Sequence, residues 1–308
     1  MAHFLITGGA GFIGSHLADH LSERGDTVAV LDNLSTGSMA NVAADTDFRE
    51  GDIRSADDVT KALEGVDGCF HLAAIASVQQ YREGWADAAA TNLIGTLNVF
   101  EACVRAGIPV VYASSAAIYG DSTDLPLSET AVPQVISGYG ADKLGDELHA
   151  KAMRLAMGLD AIGLRFFNVY GPRQAPGSPY SGVISIFLDR ISRRVPLTVF
   201  GDGLQARDFV YVGDVARALA CAMDAPEQVE SAAFNVCTGQ ATTILDLIAT
   251  LAEISGHDPR VMHEPERAGD IRLSLGNPAG AEAAIGFRAE VGRSEGLRRT
   301  WEWFQTRP

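Results

Sequence analysis

Apolar residues recur along the first half of the chain in two alternating rhythms. Short apolar runs at His3–Thr7, Thr27–Asp32, Asp47–Asp52, Gly68–Ala74, Val110–Ser115 and Ala161–Val169 read as strands. Between them, Phe12–Gly25, Ala56–Leu63, Asp87–Ala106 and Gly138–Met157 carry apolar residues at helical spacing, the first stopping at a glycine. Strands alternating with helices predict an α/β fold, a Rossmann-type doubly wound parallel sheet with right-handed crossovers. The rhythm loosens after Tyr170, where residues 171–179 form a Pro/Gly loop. Residues 1–170 are therefore expected to form one domain built on this sheet. Residues 171–308 should form mainly a smaller, mixed α/β lobe, with a later strand near 232–238 rejoining the main sheet. No internal repeat or low-complexity tract interrupts this division.

Two motifs add chemistry to the pattern. Gly8, Gly11 and Gly14 punctuate the passage from the first strand into the first helix. Residues without a Cβ let the backbone approach a pyrophosphate, and the helix N-terminus then faces its charge. Asp32 closes the second strand eighteen residues after Gly14, close to the spacing of a ribose-binding acid. A carboxylate there accepts hydrogen bonds from an adenosine ribose and repels a 2′-phosphate, which favours NAD over NADP. Asp52 and Ile53 end the third strand, where an adenine edge would lie. Leu72, Ala73 and Ala74 end the fourth with small side chains where the cofactor would cross.

The second motif is Tyr139-Gly140-Ala141-Asp142-Lys143. Its phenol and ammonium lie four residues apart and share a helix face. A nearby ammonium favours the phenolate form and suits Tyr139 to act as a base toward an alcohol. Ser115 stands at the C-terminal end of a parallel strand, where open α/β sheets place ligands, and can hydrogen-bond the reacting oxygen.

With these residues in place the chain resembles the extended short-chain dehydrogenases, and among them the nucleotide-sugar 4-epimerases, over essentially its whole length. The resemblance rests on GGAGFIG at 8–14, DNLSTG at 32–37, HLAA at 71–74, SSAAIYG at 114–120, YGADK at 139–143, RFFNVYGPRQ at 165–174, RDFVYVGDVA at 207–216 and RAGDIR at 267–272. It implies an NAD site formed by Gly8, Gly11, Phe12, Ile13, Gly14, Asp32, Asn33, Ser35, Thr36, Gly37, Asp52, Ile53, Leu72, Ala73, Ala74, Asn92, Tyr139, Lys143 and Phe166. It implies that Tyr139 removes the proton of a sugar 4-hydroxyl while C4 gives hydride to NAD. The 4-keto sugar then turns over and takes the hydride back on its other face. Ser115 would assist the proton transfer, and Lys143 would hold the ribose. Asn168 should contact the diphosphate or sugar, Val183 and Phe200 the uracil, Arg207 and Arg267 the phosphates, Asp270 the uridine ribose, with Ser77 also in the substrate site. The resemblance also implies a homodimer, with helices Asp87–Ala106 and Gly138–Met157 pairing across a two-fold axis as a four-helix bundle.

Departures from relatives narrow the reaction. Dehydratases of this type carry Asp-Glu after the active-site hydroxyl residue, whereas this chain has Ala116 and Ala117. UDP-xylose-forming decarboxylases use a glutamate in the same region, also absent. Uronate epimerases follow GPRQ with Arg-Pro-Asp-Met, and here residues 175–178 read Ala-Pro-Gly-Ser. The expected reaction is thus interconversion of UDP-glucose and UDP-galactose. Ser274, the seventh residue after Arg267, leaves room for an N-acetyl group where a tyrosine would close the pocket. The alternatives are a UDP-glucuronate 4-epimerase, another NAD-dependent epimerase or reductase, and, in a different class, an NAD-sensing protein that has lost catalysis.

Charge and composition remove other classes. A formal charge of −15 argues against a nucleic-acid surface and requires that an anionic ligand be held by local arginines. No apolar run approaches the ~20 residues of a membrane span. Met1 leads into the first strand without a basic, apolar leader, so a cytoplasmic location is expected. The four cysteines, 69, 103, 221 and 237, show no CxxC spacing and read as reduced core residues. No histidine or acid cluster has metal-ligand spacing, so no metal is expected.

Overall fold

The structure, a computed structural model, describes residues 1–76, 78–176, 182–225, 233–267 and 269–306. Its strands are β1 (His3–Thr7), β2 (Thr27–Asp32), β3 (Asp47–Glu50), β4 (Gly68–His71), β5 (Val110–Ser115), β6 (Ala161–Phe166), β7 (Asn168–Tyr170), β8 (Leu197–Phe200), β9 (Ala206–Tyr211), β10 (Ala233–Val236), β11 (Ala241–Thr243), β12 (Val261–Glu264) and β13 (Leu273–Ser274). The helices are α1 (Phe12–Glu23), α2 (Ala56–Ala62), α3 (Val78–Glu83), α4 (Trp85–Ala89), α5 (Gly95–Ala106), α6 (Gly138–Met157), α7 (Val183–Ser192), α8 (Val212–Met223), α9 (Ile244–Ser255), α10 (Ala279–Ile285) and α11 (Arg293–Thr306).

Seven strands form one parallel sheet in the order β10-β6-β5-β4-β1-β2-β3. The order reverses beside β1, which opens a crevice at the carboxyl ends of β1 and β4. Side chains of successive strand residues go to opposite faces. Phe4, Ile6, Val28 and Val30 thus enter one core with Leu17 and Leu21 of α1 and Val215 and Leu219 of α8. Leu5, Ala29 and Leu31 enter the other core with Val59 of α2 and Val99, Phe100 and Cys103 of α5. Each fully buried Leu or Ile contributes roughly 1.5–3 kcal/mol by leaving water. A third core, built on Phe187, Leu188, Leu197, Leu247, Leu251, Leu297 and Trp301, supports the smaller lobe.

Four expected elements differ. The run Ala161–Val169 is two strands, because β6 stays in the main sheet while β7 pairs with β9 in the smaller sheet. The turn is made at Phe167, whose amide donates to Val236 and whose ring is buried. The Asp47–Asp52 and Gly68–Ala74 strands stop at Glu50 and His71, freeing the residues beyond them to line the crevice. The Asp87–Ala106 helix instead begins at Trp85 and contains a π-helical turn over Ala90–Ile94. The strand expected near 232–238 is β10, at the edge of the main sheet, and α8 of the second half packs on α1. The second half of the chain therefore supplies both lobes.

Candidate active site

The crevice at the switch in strand order begins with the glycine turn. Gly8 has φ of +72°, and a Cβ on it would sit 2.7 Å from the Ala73 nitrogen. A Cβ on Gly14 would sit 2.3 Å from the Gly8 oxygen. These contacts fold the loop tightly onto β4 and bring the start of α1 under it. Gly11 caps α1 without a side-chain bond, and no acid lies in the first turn. The helix thus offers bare amides and its positive end to the crevice.

Asp32 is nearly buried, yet lines the same cleft of about 260 Å³. Its carboxylate accepts from the Ala10 amide at 3.0 Å and the Leu34 amide at 2.8 Å, which aims it along the groove. Asn33 donates to Asp52 at 3.1 Å, and Arg54 pairs with Asp52 at 2.8 Å, closing the far end. The cleft brings together Gly8, Gly11, Phe12, Ile13, Gly14, Asp32, Asn33, Ser35, Thr36, Asp52, Ile53, Leu72, Ala73, Ala74, Tyr139, Lys143 and Phe166. Gly37 lies behind the lining, where a Cβ would press on Asp32 and Ala10. Leu31, Gly51, Ile75, Ala76, Thr91 and Ala113 also line it, and no local pattern in the chain marks them.

Asn92 is buried behind the cleft rather than in it. Its Nδ2 donates to the Ile75 carbonyl at 3.0 Å, and its Oδ1 accepts from the Ile75 amide at 2.7 Å. It therefore brackets the loop that follows β4. The π-helical turn carries it, a local distortion of the kind common near functional sites.

The other end of the cleft is assembled by α6. Ser137 caps this helix by accepting from the Gly140 amide at 3.1 Å. Cβ atoms on Gly138 and Gly140 would strike the Tyr81 ring at 2.3 Å and the Ala117 carbonyl at 2.7 Å. Only glycines let the first turn of α6 settle against the turn after β5, which sets Tyr139 beside the end of that strand. The two serines there divide their work. The Ser114 hydroxyl donates to Glu147 at 2.5 Å, and Glu147 is held by a two-point ion pair with Arg165. Among the described residues the Ser115 side chain accepts only from the Ala117 amide, at 3.1 Å, and none of them takes its proton.

Lys143 is 2% exposed and donates to Asp146, which is fully buried, at 3.1 Å. Burial opposes the Lys143 charge, but Asp146 and Tyr139 outweigh it and hold the ammonium above the usual lysine value. His71 lies behind the lysine in a chain of hydrogen bonds, with Thr7 at 2.7 Å and Thr96 at 3.0 Å. Burial, and then the Lys143 charge, lower its pKa to about 3, so it is neutral. An unfolded chain takes up this proton near pH 6.5 while the fold refuses it until about pH 3. The His71 contribution is hence fully present above pH 6.5 and lost as pH falls, at up to about 1.4 kcal/mol per unit. Asp146, pushed up to about 6, titrates in the opposite sense and offsets part of this slope. Denaturant titrations at pH 7 and pH 5 should show His71→Gln gaining about 2 kcal/mol on the wild type over that interval. An unchanged difference between the two proteins would refute the neutral assignment.

A second cavity, of about 500 Å³, lies in the smaller lobe. Asn168, Val183, Phe200, Arg207, Arg267 and Asp270 line it together with Phe187, Thr198, Val199, Gln205, Ile244 and Gly269. Two of its charged side chains are already engaged by other lining residues. Arg207 donates to Asp270 at 2.6 Å, and the Arg267 guanidinium lies 3.6 Å over the Phe200 ring. Ser274 is half-buried and stands opposite Arg207 in the β13–β9 ladder, outside the residues lining the cavity. Ser77 lies outside the described residues.

The model of the NAD dependent epimerase/dehydratase family matches residues 4–237. The chain belongs to that family. It is similar to the UDP-glucose 4-epimerase of Thermotoga maritima, solved with UDP-glucose, at 39% identity and a TM-score of 0.94, covering 98% of each chain. It is also similar to the UDP-N-acetylglucosamine 4-epimerase of Methanobrevibacter ruminantium M1, solved with UDP-N-acetylmuramic acid, at 35% identity and a TM-score of 0.94, over 99% of this chain and 98% of that one. The UDP-glucose 4-epimerase of Thermus thermophilus, solved with NAD, matches at 38% identity and a TM-score of 0.91 over 99% of both chains.

As an enzyme of the NAD dependent epimerase/dehydratase family, the protein uses NAD. The cleft suits that cofactor on its own geometry, through the loop that a Cβ at Gly8 or Gly14 would fill and the carboxylate of Asp32. Among the described residues no helix is long and apolar enough to cross a membrane, and no group of His, Cys, Asp and Glu could hold a metal. The described cysteines are free, three of them buried.

Proposed function

We propose that the protein is a UDP-hexose 4-epimerase that interconverts UDP-glucose and UDP-galactose and accepts the 2-acetamido sugars. One observation carries this reading. Phe166 lines the cofactor cleft and Asn168 lines the second cavity, so the two spaces meet across a single intervening residue. A sugar attached to a diphosphate in the second cavity would reach Tyr139 and Lys143 at the first, and Ser115 at the end of β5. Arg207 and Arg267 would leave Asp270 and Phe200 to pair with the diphosphate, and planar guanidinium forks suit its oxygens. Phe200 would then stack on the base, and Asp270 would accept from the ribose.

NAD supplies reversible hydride exchange with C4 of the sugar. Tyr139 takes the proton of the 4-hydroxyl, holds it while the sugar turns, and returns it to the same oxygen. Ser115 donates a hydrogen bond to that oxygen, and Lys143 supports the phenolate through its charge. Ala116 and Ala117 follow the serine, so these two positions supply no acid or base to eliminate water or assist decarboxylation.

Product analysis by NMR after incubation with UDP-glucose, UDP-N-acetylglucosamine and UDP-glucuronate tests the reading. Turnover of the first two without added reductant is expected, and turnover of UDP-glucuronate alone would replace the reading. Ser274→Tyr should lower turnover of UDP-N-acetylglucosamine at least tenfold relative to UDP-glucose, a loss worth about 1.4 kcal/mol of binding in the transition state.

We also propose a homodimer through α5 and α6. Leu148 and Leu155 on α6 are 61% and 82% exposed, and Ile94, just before α5, is 51% exposed. Leu148, Ala152 and Leu155, like Ile94, Leu97, Glu101 and Val104, repeat at three- and four-residue steps, the stripe of a four-helix seam. Sedimentation should give a dimer that Leu155→Lys converts to monomer. A wild-type monomer at micromolar concentration would remove this proposal.

A further inference from the structure

The Lys143–Asp146 pair is not needed to describe the proton transfer, yet it is the most deeply buried ion pair among the described residues. Lys143 lines the cofactor cleft with one edge, and Asp146 stands one turn further along α6, on the side away from the cleft. Asp146 Oδ2 accepts from Nζ at 3.1 Å, while Oδ1 has no hydrogen-bond partner. The adjacent network shows why. His71 is neutral and has one ring proton; the Thr7 hydroxyl serves its Nδ1, which leaves Nε2–H to donate to Thr96. The Thr96 hydroxyl also neighbours Asp146, but its proton goes to the Asn92 carbonyl at 2.5 Å. The ammonium of Lys143 is left as the dominant partner of this carboxylate. A buried charge held in this way is strongly coupled to its partner, because its low-dielectric surroundings screen the attraction weakly.

We propose that Asp146 is a positioning residue: its carboxylate draws the Lys143 ammonium toward the floor of the cleft and partly neutralises it, and so sets how strongly Lys143 favours the phenolate of Tyr139. This rests on the reading of Tyr139 as the proton-transferring group. The remaining charged and titratable groups around the pair are few. Tyr139 and Asp142 come from α6 itself, and Asp142 accepts from the Tyr81 hydroxyl of α3. From β4 comes His71, which is neutral; from β5 comes Tyr112, which burial pushes up and keeps protonated. Glu147 is committed to Arg165 and Ser114. No other group among these can take over the role of Asp146, while Asp142 remains to keep Lys143 charged when Asp146 is removed.

The NAD-loaded enzyme carrying Asp146→Asn tests this. The acid limb of its kcat against pH should move about one unit to lower pH, because an ammonium no longer neutralised by Asp146 favours the phenolate further into acid. Asp146→Glu should restore the wild-type limb. A limb that stays in place, or moves to higher pH, overturns the proposal. A second readout needs no variant and no turnover. Carbon-13 NMR of the aspartate carboxyls in the wild-type protein should show Asp146 ionised at pH 8 and gaining a proton near pH 6, and a carboxyl still protonated at pH 8 overturns the proposal even if the Asn variant does not fold. Loss of the Tyr139 reading is distinguishable. In that case Tyr139→Phe keeps its activity, whereas an inactive Tyr139→Phe with an unmoved limb in Asp146→Asn removes only the role of Asp146.

Discussion

Tyr139→Phe should lower kcat for UDP-glucose by about 10²- to 10⁴-fold, the range for loss of a positioned acid–base group. The change removes one oxygen and leaves the ring where it packs. The glycines at 138 and 140 hold the helix turn against the Tyr81 ring and the Ala117 carbonyl, and neither contact involves the phenol. The variant should therefore fold and retain NAD. The measurement is a coupled assay of UDP-galactose formation alongside the absorbance of bound cofactor. Activity within threefold of wild type, with full NAD occupancy, would refute the assignment. Ser115→Ala should cost less, since it removes a hydrogen bond to the oxygen and not the proton carrier itself.

The second large effect is expected at Gly14. An alanine there would place its Cβ 2.3 Å from the Gly8 oxygen and 2.7 Å from the Gly9 Cα. Both are backbone atoms, so relief requires the loop or the start of α1 to move. A strain of about 3 kcal/mol corresponds to roughly a 100-fold loss of NAD affinity. Calorimetric titration of NAD should show that loss. Gly292→Ala is the control, because nothing lies within 4 Å of its Cβ and affinity should not change. Equal affinity in the two variants would mean that the loop accommodates a side chain and that the close approach is not what binds the pyrophosphate.

The parts of the molecule that follow local rules were legible in the sequence. β1, β2 and β5 fall where the apolar runs put them, because strands buried on both faces leave no other pattern. Gly8, Gly14 and Asp32 could be read because each answers a local backbone or spacing requirement. The rest depends on contacts distant in sequence. Strand β12 pairs with β8 across more than sixty residues, and neither shows a strong period of its own. The break at Phe167 was invisible because β6 and β7 run on with only Phe167 between them, and only the partner strand tells them apart. The resemblance assigns Asn92 to the cofactor, whereas its amide faces the Ile75 backbone. Asp146 and Glu147 sit three and four residues after Lys143, so the helical period that found the lysine also pointed at them. In a helix with several exposed charges nothing marked them as buried.

The single residue between β6 and β7 has a mechanical consequence. Phe167 is buried, and its amide is tied to Val236, so the link between the two sheets has no slack. At this point the two sheets are held at a fixed separation by one buried residue. Under the proposed reading, the reach from a diphosphate in the second cavity to Tyr139 is therefore set at this one residue.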